Sequence, residues 1–190
     1  MDFNTMLNRA IRAARLDVTL FQEVEHDTSL NQEALMVVII TSALAGVGAL
    51  IGGIFTGFGA ALIATVFAVF WGIVGYYIWA YLTWFIGTRL FKGTAEPGEL
   101  LRTLGYATAP RALGVFSFIP CVGAIVSLVA GIWSLIAGVI AVREALNFDT
   151  GNAIITVVIG WAVVFVVGLV IAGILGAGAL GLGALTGAFQ

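Results

Sequence analysis

The chain has 190 residues, of which 61% are hydrophobic and only 9% charged, with a formal net charge of −2. Soluble domains carry about 25% charged residues, so this composition excludes an ordinary water-soluble fold. The charges are also segregated: residues 34–88 and 150–190 contain no Asp, Glu, Lys or Arg, and uncharged apolar runs longer than about 18 residues read as bilayer-spanning segments.

Residues 1–33 form a polar amino-terminal segment without the apolar core of a cleaved signal peptide. Arg9, Arg12 and Arg15 recur at every third position beside Phe3, Leu7, Ile11 and Ala14. That spacing predicts a short basic amphipathic helix on an anionic membrane face. The segment then turns acidic at Glu23, Glu25 and Asp27. Glu23 and Asp27, four apart, have the spacing either to share a cation or, the simpler reading, to line a solvated helix face, and His26 among these acids reads as a solvated residue. Ser29 with Gln32 resembles a capping box opening the next helix.

Five spans are expected from there: residues 34–54, 60–86, 104–119, 124–142 and 153–175. An uncharged hairpin at 52–59 joins the first two, and a turn at 120–123 joins the third and fourth. The second span ends in six aromatic residues, Trp71, Tyr76, Tyr77, Trp79, Tyr81 and Trp84, more than one headgroup belt requires. Some of these rings are therefore expected to face protein. Polar loops at 88–105 and 143–152 carry Arg89, Lys92, Arg102 and Arg143, and an apolar Gly/Ala/Leu tail occupies 176–190. With the amino terminus in the cytoplasm and the carboxyl terminus outside, the cytoplasmic face receives Arg9, Arg12, Arg15, Arg89, Lys92, Arg102 and Arg143, while the outer turns and tail carry no Lys or Arg. This is the distribution of the positive-inside rule. The expected fold is an all-α integral membrane protein: segment 1–33, a five-helix domain over 34–175, and the tail.

The residues that carry a wider likeness are Gly93 after the second span, the Gly105-Tyr106…Pro110 block and Gly131-Ile-Trp133. Arg143-Glu144-Ala145 and Thr150-Gly151…Ala153 complete the set. Together they resemble the Yip1-domain family of five-span membrane proteins over about residues 34–174. Eukaryotic members of that family are trafficking proteins of Golgi and endoplasmic-reticulum membranes that associate with Rab GTPases. A polar segment of only 33 residues resembles the prokaryotic branch instead, so a prokaryotic cytoplasmic membrane is expected and the Rab association is not carried over.

Catalytic and metal-binding patterns are sparse. One His and one Cys, Cys121, cannot build a Cys/His zinc site or an internal disulfide. No carboxylate lies within a span, and no His or Lys lies there to activate Ser42, Ser117, Ser127 or Ser134. Gly176…Gly181 matches G-x-G-x-x-G by letter without the strand that dinucleotide binding requires. No cofactor, metal or nucleic acid is expected. The pairs Gly48…Gly52, Gly53…Gly57 and Gly183…Gly187 are small-residue spacings for close helix packing, within the chain or against a partner.

Arg111 is the residue out of place. Nine positions before Pro120 on an α-helix put it about 14 Å below the outer turn, where an arginine costs roughly 2.5–3.5 kcal/mol. Pro110 and Pro120 free the carbonyls of Tyr106 and Phe116, and Trp133 lies at a similar level. The guanidinium therefore has two roles open to it. It can be structural, bonding carbonyls, stacking on Trp133 or snorkelling toward Glu99 or Glu144. Alternatively Arg111, with Tyr106, Pro110 and Trp133, recognises an anionic headgroup or a partner. The sequence accordingly supports a non-enzymatic scaffold or adaptor, an accessory subunit of a larger membrane complex partnered by other subunits or itself. The alternative is an anionic-lipid binding or transport protein using Arg111.

Overall fold

The computed structural model describes residues 2–54 and 57–187, with side chains described as far as residue 177. Within them, seven α-helices follow in order: α1 (Phe3–Ala14), α2 (Val18–His26), α3 (Asn31–Gly53), α4 (Phe58–Leu90), α5 (Pro97–Ala107), α6 (Val122–Leu146) and α7 (Thr150–Gly187). Two 3₁₀ segments, Thr28–Leu30 and Ala109–Phe118, precede α3 and α6 respectively.

Carboxylates set the helix starts at the polar end. Asp2 accepts from the Asn4 and Thr5 amides, and Asp17 from Thr19, filling donors that have no partner within the helix. Asp27 accepts from the amide and hydroxyl of Ser29 at 3.0 and 2.6 Å. The Ser29–Gln32 capping box does not form, because Asp27 already holds Ser29. Pro97 opens α5 at a position where its missing N–H costs nothing.

Among the described residues, four helices are long and apolar enough to cross a membrane: Thr28–Gly53, Phe58–Leu90, Val122–Leu146 and Thr150–Ala177. The expected third span, 104–119, is not a single α-helix. Its first residues close α5, and the rest is the 3₁₀ segment Ala109–Phe118, entered through the Arg111 amide bond to Thr108 O at 2.9 Å. Pro110 has no N–H to continue an α-helical ladder, and Pro120 drives Ile119 into extended geometry at φ −76°, ψ 117°. Ten residues at 3₁₀ rise cover about 20 Å, so this stretch is longer and thinner than an α-helix of equal sequence.

The thin segment fits into α3. A Cβ on Gly48 would lie 2.5 Å from both Gly114 O and Ser117 Oγ, and one on Gly52 would lie 3.3 Å from Phe118 Cα. Gly53 packs in the same way on Ala61 of α4. These glycines therefore serve packing inside the chain. Gly57 does not: its φ is +130° with nothing within 4 Å, so it is the turn residue between α3 and α4. At the other end of α3, a Cβ on Gly105 would approach that of Ala34 to 2.9 Å. The α5–3₁₀ unit thus runs alongside α3 from Ala34 to Gly52.

The aromatic cluster on α4 divides as its excess suggests. Tyr76 and Trp79 are buried, whereas Tyr77 and Tyr81 are exposed. The Tyr76 hydroxyl donates to Leu101 O at 2.6 Å, and the Trp84 indole donates to Ala95 O at 2.9 Å, which ties the loop and α5 to α4. The tail does not form a separate unit. From 176 onward it continues α7 to Gly187, and residues 188–190 lie outside the described residues. The side chains around Gly181, Gly183 and Gly187 lie outside them too.

Candidate functional site

The polar chemistry collects where α1 and α2 fold back onto α3, α5 and α6. α1 buries Met6 and Ala13 and leaves Phe3, Leu7 and Ile11 exposed at four-residue spacing. The amphipathic helix is present, but two of its three arginines are not free for lipid. Arg9 pairs with Glu33 at 2.7 Å, and Arg12 reaches Asp17 at 2.7 Å and Glu23 at 2.8 Å. Glu33 heads α3, is 6% exposed, and also accepts the Tyr106 hydroxyl proton. The result is a chain Arg9–Glu33–Tyr106 that joins α1, α3 and α5.

These pairings set the ionisation of the arm. Glu23 and Asp17 raise the Arg12 guanidinium above its usual range. The Thr19 hydroxyl and then Arg12 hold Asp17 down at about 2, and Arg12 lowers Glu23. Glu33 raises Arg9. Glu25 goes the other way: burial pushes it up, His26 opposes, Glu99 and Glu144 add to the rise, and Arg102 opposes.

Arg102, expected on the membrane surface, is 4% exposed. Its Nε donates to Val24 O at 3.0 Å, one terminal nitrogen donates to Asn31 Oδ1 at 3.1 Å, and the other donates to Glu25 O. It therefore caps the carbonyl end of α2, where a cation is favoured. Arg143 likewise lies against Glu144 at 2.7 Å, and Glu144 also accepts from Gln22 at 2.8 Å. Of the basic residues singled out from sequence, Arg9, Arg12, Arg102 and Arg143 are spent on internal ties. Arg15, Arg89 and Lys92 are exposed and without a partner among the described residues.

Arg111 belongs with that free group. It is exposed on the 3₁₀ segment, and its guanidinium makes no hydrogen bond or ion pair among the described residues. The expected compensations are used elsewhere. Phe116 O accepts from Ile119 N at 3.1 Å. Glu144 is held by Arg143 and Gln22, and Glu99 accepts from the Glu96 amide at 3.3 Å. The Trp133 indole donates to Ala14 O at 2.8 Å, the last residue of α1. Tyr106 is fully buried on Glu33 and Pro110 is buried. The four residues grouped as one candidate site therefore separate: Tyr106 and Trp133 fasten α1, Pro110 starts the 3₁₀ turn, and the exposed Arg111 has no partner among the described residues.

Sequence reasoning missed Glu33 as a site residue, and it gave Arg102 only a surface role and Glu25 only a place in the acidic stretch. The available signal was a carboxylate standing immediately before the uncharged run 34–88. A buried carboxylate at a helix start needs the partner that Arg9 supplies.

No curated protein and no solved structure shows a match to the chain. The Yip1-domain family model matches residues 18–184, from the start of α2 to near the end of α7. Four membrane-length apolar helices and a family match over most of the sequence agree, and the chain belongs to the Yip1-domain family of integral, multi-pass membrane proteins.

Proposed function

We propose that this Yip1-domain protein is a non-enzymatic membrane scaffold or adaptor, acting as an accessory subunit of a larger membrane complex. The observation that carries this reading is the pair of unshared apolar faces on α4 and α7. Val66 and Phe70 on α4 are 67 and 59% exposed, and Val166, Leu169 and Ile174 on α7 are 56, 57 and 67% exposed. Among the described residues α7 packs on α4 and α6 alone, and a methyl added at Gly173 or Gly176 would meet nothing within 4 Å. Small residues on an edge helix let a second helix approach closely. A photo-crosslinking residue at Leu169 tests this in native membranes: the reading expects protein adducts there, and adducts to lipid alone contradict it.

The same proposal takes the α5–3₁₀ unit as a fifth crossing, because it runs beside α3 from Ala34 to Gly52. The arm of α1 and α2 is then cytoplasmic, supported by the position of Arg9, Arg12, Arg15, Arg89, Lys92, Arg102 and Arg143 at that end. On the sequence resemblance alone, the membrane is taken as a prokaryotic cytoplasmic membrane.

A second reading, anionic-lipid binding or transport, is favoured by one observation, the exposed Arg111 without a partner among the described residues. A lipid phosphate would supply the missing counter-charge. Arg111→Leu in nanodiscs containing anionic lipid tests it. Loss of co-purifying anionic lipid with unchanged helical content supports the reading, and unchanged lipid content contradicts it.

A further inference from the structure

A polar cleft of about 550 Å³ opens between the carbonyl ends of α2 and α6, lined by Gln22, Glu23, Glu25, His26, Glu144 and Asn147. Its lining is acidic, but two of the three carboxylates are already satisfied. Glu23 is held by Arg12, and Glu144 by Arg143 and Gln22. Glu25 is different. The residue is only 9% exposed, it lines the cleft, and its carboxylate accepts no hydrogen bond among the described residues. Arg102 bonds only its main-chain oxygen. The Glu25 carboxylate oxygens are not sealed from water but open to the cleft, which is the side from which a partner can arrive.

The surroundings specify that partner's charge. α6 ends at Leu146, so its carbonyl end adds partial negative charge to the acidic lining, while the carbonyl end of α2 is already capped by Arg102. A phosphate or carboxylate would be repelled. A metal ion is disfavoured, since no group of three His, Cys, Asp or Glu side chains among the described residues is placed to hold one. A guanidinium or ammonium group needs no such cage. It can bond Glu25 and the remaining acceptors of Gln22 and Asn147 while its stem stays in the open mouth.

We propose that this cleft receives a basic side chain, an arginine or lysine on a segment of a partner protein lying outside the bilayer. The inference deepens the adaptor reading and rests on it, because it names the chemistry by which one partner is gripped.

The test uses the full chain in nanodiscs of zwitterionic phosphatidylcholine and a fluorescein-labelled Gly-Arg-Gly-Arg-Gly-Arg-Gly peptide read by anisotropy. Wild type should bind this peptide and ignore its glutamate counterpart. Glu25→Gln should weaken binding about tenfold, whereas Asp27→Asn, just outside the cleft, should stay within about twofold. Glu25→Gln should unfold at the wild-type temperature or above it, since the carboxylate has no internal partner to lose. Absence of peptide binding by wild type overturns the proposal, as does equal binding by Glu25→Gln, or equal weakening by Asp27→Asn. No partner complex enters this assay. A chain that crosslinks to subunits yet ignores the peptide keeps the adaptor reading and loses this one.

Discussion

The Nε of Arg102 on α5 lies 3.0 Å from the main-chain oxygen of Val24 on α2, a residue 78 positions away in the chain. With its further bonds to Glu25 on α2 and Asn31 on α3, this side chain locks the end of α2 onto the bundle. Arg102→Ala removes all three donors and leaves buried carbonyls unsatisfied. The expected loss is about 2–4 kcal/mol, read as a lower unfolding temperature in detergent with early proteolytic cleavage between α1 and α3. Arg102→Lys, which has no planar fork, should recover only part of it.

Within the arm, the tie of α1 to α2 through Arg12, Asp17 and Glu23 is pH-dependent in a defined window. Asp17 sits at about 2 when folded, against an ordinary value of 3.8. Its folded value is the lower one, so its contribution is complete well above the ordinary value and disappears as pH falls toward about 2. Glu23, lowered by Arg12, acts in the same direction. Protease protection of α1 should therefore hold from about pH 7 to about pH 4 and fall below that. Loss of protection already at about pH 6 would mean that the Arg12 cluster does not hold α1 on α2.

Much of the architecture was legible because span length and charge exclusion act locally. The uncharged run 34–88 announces α3 and α4, and the run from 150 announces α7. What was hidden depends on residues far apart. The partners of Arg9 and Arg12 lie 24 and 11 positions away, and no spacing rule reaches that far. Trp133 and Tyr106 read as ligand groups because an unassigned polar aromatic invites it. Their true partners, Ala14 O and Glu33, belong to elements that only tertiary folding brings near. The 3₁₀ course of Ala109–Phe118 also escaped a reading by proline positions, since it is set as much by the close fit to Gly48 as by Pro110.

Glycine substitutions should separate packing from idle positions. Gly48→Ala forces a methyl to within 2.5 Å of Gly114 O and Ser117 Oγ, and overpacking of this kind costs about 1–3 kcal/mol. Gly131→Ala on α6, where nothing lies within 4 Å, should be neutral or gain up to about 1 kcal/mol from helix propensity. Thermal unfolding of both variants in the same detergent makes the comparison. Equal effects would mean that the 3₁₀ segment does not sit against α3.

Cys121 supplies a topology probe without engineering. It is the sole cysteine, exposed in the turn between the 3₁₀ segment and α6. In sealed vesicles a membrane-impermeant maleimide should reach Cys121 from the face opposite to that reached by a cysteine at Gln22 in a Cys121→Ser background. Labelling of both from one face would remove the fifth crossing.

The adaptor reading rests most directly on what leaves the membrane with the chain. Native mass spectrometry of the protein released from its own membrane with minimal detergent should show species heavier than the 19.8 kDa chain that break into this chain plus one or more other polypeptides. A single species at the mass of one chain, alone or with lipid only, would contradict it.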